Sequence, residues 1–245
     1  MEAVSHLTKG LELLTALPDS VGRAQQELAL HIALGPALMA TKGYAAPEVE
    51  RAYARARELC QQVGEPSTRF PALLGLSMFY LIRGDFQTAY ELGEQLLSLA
   101  QREQDSALLV EAHYVLGTTL FHLGELDPAR EHLERGIALY DPQQHRFLAF
   151  RYGQDPGVFC LCYMVRILWF LGYSDQALQR SHEALALAQD LAHPFSLALA
   201  LTFAALVHQL RQEGRATQER AKVAIALCTE QGFAFYQAMG TILHG

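Results

Sequence analysis

Apolar residues recur at spacings of three and four along almost the whole chain, and alternation never persists over a strand length. Ala and Leu, both strong helix formers, dominate the apolar positions. The pattern predicts helices only. A first helix covers about residues 3–17 and stops at Pro18-Asp19-Ser20. Helical hairpins follow at about 22–64, 67–104, 106–140, 155–191 and 194–231, and a last helix covers 233–244. Gly35-Pro36 falls inside one helix, where a kink is expected. Asp127-Pro128 and Asp155-Pro156 each read as an N-cap followed by proline at the first helical position.

The turn glycines Gly43, Gly84, Gly124, Gly172 and Gly214 are separated by 41, 40, 48 and 42 residues. One hairpin per period of this length is the mark of an α-solenoid, in which each hairpin buries its apolar face on its neighbours. The wide gap marks an insertion, Asp141–Gln154. Its Phe147, Phe150 and Tyr152 predict a packed loop or short helical turn. The next helix is apolar at every position from Val158 to Leu171 except Arg166. A helix apolar nearly all round is buried on nearly all sides. This one is too short for a bilayer, which takes roughly 20 apolar residues. The chain starts on what looks like the second helix of a hairpin and finishes on an unpaired first helix, so the 245 residues are expected to be one helical-repeat domain within a longer array.

Composition narrows the work this array can do. With 19 Lys and Arg against 26 Asp and Glu, the net charge is −7, which argues against nucleic acid as a partner. No basic amphipathic stretch points to a membrane surface, and residues 1–10 lack the blocks of a signal peptide. Four cysteines are too few for a disulfide scaffold, so a cytoplasmic, reducing setting is expected.

Catalytic or metal signals are weak. Ser181-His182 are adjacent in sequence and point about 100° apart on a helix. Cys160 and Cys162, with His145 upstream, diverge for the same reason and read as buried packing residues. His113, His122, His182, His193 and His208 show no ligand spacing. No phosphate loop or GxGxxG occurs, so no cofactor, metal or catalytic residue is expected. Arg166 is the misfit, since a lone guanidinium in an apolar helix needs solvent, a carboxylate or a ligand. Trp169, the only tryptophan, lies three residues on.

Several hairpins resemble tetratricopeptide repeats. The third is nearest, with Leu116-Gly117, Gly124, Ala129 and Pro142 at the motif's small and turn positions. Leu76, Tyr80, Gly84 and Ala89, and then Leu168, Gly172 and Ala177, follow it more loosely, on a period longer than the usual 34. A longer resemblance covers RAQQELALHIALGPALMATKGYAAPEVERAYARARELCQQVG, YGQDPGVFCLCYMVRILWFLGYSDQAL and HPFSLALALTFAALVHQLRQE. These segments look like the C-terminal repeat region of large bacterial signalling proteins that carry a nucleotide cyclase or kinase-like module and then an AAA-type ATPase. The resemblance implies an all-α, right-handed solenoid of about 12 helices. It also implies a non-catalytic role, with any activity in upstream modules. The expected partner is a protein, a peptide or the array's own ATPase or cyclase modules. On the repeat register, Met78, Tyr114, Thr118, His122, Phe159, Cys162, Arg166, Trp169, Phe170, His208 and Arg211 face a concave groove. The alternative is a small-molecule sensor, with Tyr114, Phe159, Arg166 and Trp169 around a closed pocket for an anion.

Overall fold

The computed structural model describes residues 2–63 and 69–245. Among these residues it is all helix. The elements are α1 (Glu2–Leu14), α2 (Val21–Lys42), α3 (Pro47–Val63), α4 (Arg69–Arg83), α5 (Phe86–Glu103), α6 (Ser106–Leu123), α7 (Leu126–Leu139), α8 (Pro142–His145), α9 (Phe147–Tyr152), α10 (Pro156–Phe170), α11 (Ser174–Leu191), α12 (Pro194–Leu210), α13 (Gly214–Gln231) and α14 (Ala234–His244). Twelve are long, and the short α8 and α9 make up the insertion. The expected boundary near residues 64–67 lies outside the described residues.

Local chemistry accounts for several helix starts. The Asp85 carboxylate accepts from the Thr88 amide, Asp105 from Ala107 and Leu108, and Asp155 from Val158. Each satisfies amides that the first turn leaves without a partner. Proline follows the cap at Pro142, Pro156 and Pro194, where its missing N–H costs nothing. Two expected boundaries move. Helix α7 begins at Leu126 with Glu125 as its cap, so Asp127 sits in the first turn, where its charge opposes the helix dipole. The left-handed residue after α12 is Gln212 (φ 61°), and Gly214 is already helical. Counted by left-handed residues, the last period shortens to 40, matching that between Gly84 and Gly124. Helix α2 continues through Pro36 without a break.

The first helices of the hairpins, α2, α4, α6, α10 and α12, stack in sequence order, and α14 packs on α12. The series then closes: α14 also packs on α2. The Tyr44 ring, just past the end of α2, meets Phe235 edge-on at 5.6 Å and lies 6.3 Å from Phe195. Six inner helices thus form a ring. The second helices α3, α5, α7, α11 and α13, together with α1, form an outer layer. This explains the two kinds of helix in the sequence. Helices α6, α10 and α12 are buried at nearly every position, whereas α5 and α7 expose a polar face.

Glycines inside helices allow close winding. A Cβ on Gly35 would fall 2.1 Å from the Tyr53 ring, and one on Gly75 would fall 2.2 Å from the same ring. Tyr53 of α3 therefore lies flat against the backbones of both α2 and α4, and no side chain fits at either position.

Candidate partner-binding surface

The inner face of α10 carries Phe159, Tyr163, Arg166 and Phe170 at successive helical turns. Deep in the ring, Phe159 packs on Tyr114 with centroids 4.9 Å apart, and the Tyr114 hydroxyl reaches the Met78 sulfur at 2.9 Å. Thr118 donates to the Val115 carbonyl of its own helix. Met78, Tyr114, Thr118, Phe159 and Cys162 are all buried. The ring is wound so tightly that these residues cover one another. The void beside Met78, between α2, α4 and the insertion, is only about 10 Å³. A hollow of about 420 Å³ lies between α2 and α3, away from every residue of the expected groove.

The same stripe surfaces at one end of the ring, where the inner helices finish. Arg166 is half-buried, its guanidinium carbon 4.2 Å above the Phe121 ring and 5.5 Å from that of Tyr163. Attraction between a cation and an aromatic face strengthens when the pair is partly desolvated. Burial pulls the Arg166 pKa below its ordinary value, and the Tyr163 hydroxyl is the group that supports its charge. Among the described residues no carboxylate lies within ion-pair distance of it. His122 stacks on Phe86 at 5.3 Å and 17°. Burial, and then the charge of Arg166, push its pKa down to about 4, so it is neutral at pH 7. Beside this group lies the exposed Phe170 (59%), its ring 5.9 Å from that of Phe121. The result is a cation with no anion of its own, bedded on aromatic rings and flanked by apolar surface. Such a site can receive a carboxylate carried beside an apolar side chain.

The remaining expected residues do other work. His208 and Arg211 are bound at the turn after α12. His208 Nδ1 lies 2.6 Å from Glu213, while Arg211 reaches Glu213 at 2.8 Å and the Ser174 hydroxyl at 2.6 Å. Arg211 thereby ties this turn to the turn of the preceding hairpin. Trp169 is half-buried against the core, and the ring partners of Arg166 are Phe121 and Tyr163. Cys160 packs against Gly136, and burial raises both the Cys160 and Cys162 thiols. His145 sits between the Asp141 amide and the Ser106 hydroxyl, where it holds the insertion.

Two polar groupings have weaker sequence signals. Glu111 of α6 is fully buried, with no hydrogen-bond partner on either carboxyl oxygen. Its signal was the one that marks Arg166, a lone charge in an apolar helix. His113 and His132 approach with their Nδ1 atoms 3.0 Å apart, across the α6–α7 hairpin. Nothing in their sequence spacing announces this contact.

The tetratricopeptide repeat family model matches residues 68–141, which span the second and third hairpins. No curated protein matches the sequence. Solved structures extend the likeness to the whole fold. BtubC from P. vanneervenii is similar at a TM-score of 0.61 and 13% identity, over 94% of this chain and 91% of that one. A Rap protein complexed with competence and sporulation factor is similar at 0.66 and 12%, over 98% and 68%. A signal transduction ATPase with numerous domains from Pyrococcus horikoshii, which has a tetratricopeptide repeat sensor, is similar at 0.57 and 11%, over 90% of this chain and 34% of that one. The fold is a tetratricopeptide-like α-solenoid.

Proposed function

We propose that this chain is the interaction and regulatory repeat domain of a multidomain bacterial signalling ATPase or cyclase, and that it takes its partner at the Arg166 end of the ring. The partner is a protein or peptide, or the array's own catalytic modules. Arg166 carries the reading: a half-buried cation on Phe121 with no carboxylate at ion-pair distance among the described residues. Burying an unmatched charge is costly, so a fold that keeps one is served by an outside anion. The exposed Phe170 beside it supplies the apolar area that a binding hot spot needs. The signalling context rests on the long resemblance to the repeat regions of such proteins. The Pyrococcus horikoshii ATPase, about a third of whose length is covered, supports it at the level of fold.

The test is a pull-down with the wild-type chain beside Arg166→Ala and Phe170→Ala, each checked for unchanged helicity. Recovery of a partner is expected to fall at least about tenfold in both variants. Equal recovery of every partner by all three proteins would remove this end of the ring from the binding surface.

A further inference from the structure

The insertion between α7 and α10 does not stay beside its own hairpin. In the ring order α2, α4, α6, α10, α12, α14, helices α10 and α2 stand opposite each other. The segment leading into α10 nevertheless reaches α2. A Cβ on Gly153 would fall 2.8 Å from Pro36, and Gly153 has φ +79°, so both space and backbone require glycine there. Tyr152 approaches Phe70 of α4 at 6.5 Å, and with Gln154 it lines the 10 Å³ void with Pro36, Leu74 and Met78. Gln154 is the most closely held residue. Its Oε1 accepts from the Tyr44 hydroxyl at 2.9 Å, and its Nε2 donates to the Tyr114 hydroxyl at 3.3 Å. Residues 152–154 thus cross the inside of the ring, on the concave surface that the repeat register would leave open.

We propose that residues 147–154 are a built-in plug, and that the surface beneath them is a second binding groove. The groove is for an extended peptide that presents an aromatic side chain and a carboxamide two residues apart, as Tyr152 and Gln154 do. Three features make the plug displaceable. Its outer face is thinly held: Leu148, Ala149 and Tyr152 are buried, while Phe147 (45%) and Phe150 (69%) are exposed, Phe150 meeting the His193 ring edge-on at 5.2 Å. Its helix has six residues, too few to be stable alone. Its fit is imperfect as well, because the Tyr152 hydroxyl is buried without a partner. A competing peptide that pairs a donor or acceptor at this point gains what the plug forgoes. The groove side is preformed for such a chain, since the Tyr44 and Tyr114 hydroxyls converge on one amide. The inference does not depend on the Arg166 reading, because the two sites lie on different parts of the ring.

The experiment uses a labelled peptide of residues 146–155, RFLAFRYGQD, in fluorescence anisotropy against three full-length proteins. These are wild type, Gly153→Ala and Tyr152→Ala. Both variants loosen the plug and leave the groove intact. A protein whose groove is open only part of the time shows an affinity reduced by the open fraction. The peptide is therefore expected to bind both variants at least about tenfold more tightly than wild type, and to lose binding when its own Tyr and Gln become Ala. Hydrogen exchange on the wild type supplies the second readout. The amides of residues 147–154 should exchange faster than those of α6 and α10, through local opening. Unchanged peptide affinity in variants that keep wild-type helicity would overturn the proposal. If the variants fail to fold, exchange of residues 147–154 as slow as that of α6 would overturn it, and faster exchange would uphold it.

Discussion

Replacing Glu111 with glutamine should stabilise the protein, and by more as the pH rises. Glu111 is fully buried, and neither carboxyl oxygen has a partner. Burial, and then the nearby Asp155, raise its pKa well above the ordinary 4.5. The folded chain therefore holds a proton on Glu111 that the unfolded chain has released. For an acid with a raised folded pKa, stability is full below the unfolded pKa and falls as pH climbs toward the folded one. Each pH unit in that window costs about 1.4 kcal/mol. Glutamine keeps the shape and carries no such penalty. The clean window is pH 7–8. Asp155, pushed up to about 6 mainly by burial, has ionised by then. The other titrating groups are the same in wild type and variant and cancel in the difference. Urea unfolding followed by circular dichroism at pH 7.0, 7.5 and 8.0 gives the free energies. The advantage of Glu111→Gln should grow with pH across the window, by at most about 1.4 kcal/mol, with m values matched. An advantage that is constant with pH would refute the reasoning, because it would mean that Glu111 is ionised in the fold.

Other perturbations follow from the same packing. Gly75→Ala should cost about 1–3 kcal/mol, since its methyl would enter the Tyr53 ring, and a thermal melt should show the cost shrinking in a Tyr53→Ala background. His113 is pulled down to about 4 by burial and then by its neighbour His132, which burial also lowers. Stability from this pair is full above the unfolded value near 6.5 and is lost as pH falls, so His132→Gln should blunt the drop in melting temperature between pH 7 and 5. Arg166→Met should leave the melting temperature equal or higher, because an apolar side chain suits the bed of Phe121 and Tyr163, while partner recovery falls. Tyr44→Ala should loosen the contact between α2 and α14, and small-angle scattering should register a larger radius of gyration.

How far the sequence carries the fold depends on which quantity is local. Helix identity is local, and the caps Asp85, Asp105 and Asp155 and the apolar run of α10 are legible directly. Gln212 is less legible, since a left-handed residue other than glycine carries little sequence signal and draws attention to Gly214 instead. The ring's tightness is not local at all. It depends on how closely neighbouring helices approach, which is set by pairings such as Gly35 and Gly75 with Tyr53, and Gly117 with Leu133. A looser winding of the same hairpins would put Met78, Tyr114 and Phe159 on an open groove. The same limit applies to the insertion. Its aromatic residues announce packing, but only the closed ring places Tyr152 and Gln154 opposite α2. At the site itself Arg166 is legible as a misfit charge, whereas its bed of Phe121 and Tyr163 requires knowledge of how α6 and α10 face each other.

The seam between Tyr44 and Phe235 has a consequence for how the chain folds. Hairpin-on-hairpin stacking joins segments close in sequence, so each step can begin as soon as two neighbours exist. The seam joins residues almost two hundred positions apart. For a flexible chain, closing a loop of that size costs about 5 kcal/mol of entropy, but each stacked hairpin narrows the search before the ends meet. The docking of α14 on α2 is then the last event in assembly and the first to reverse. Under mild denaturant the ring would split along this line into an open spiral, with its hairpins still formed and its inner face turned to solvent.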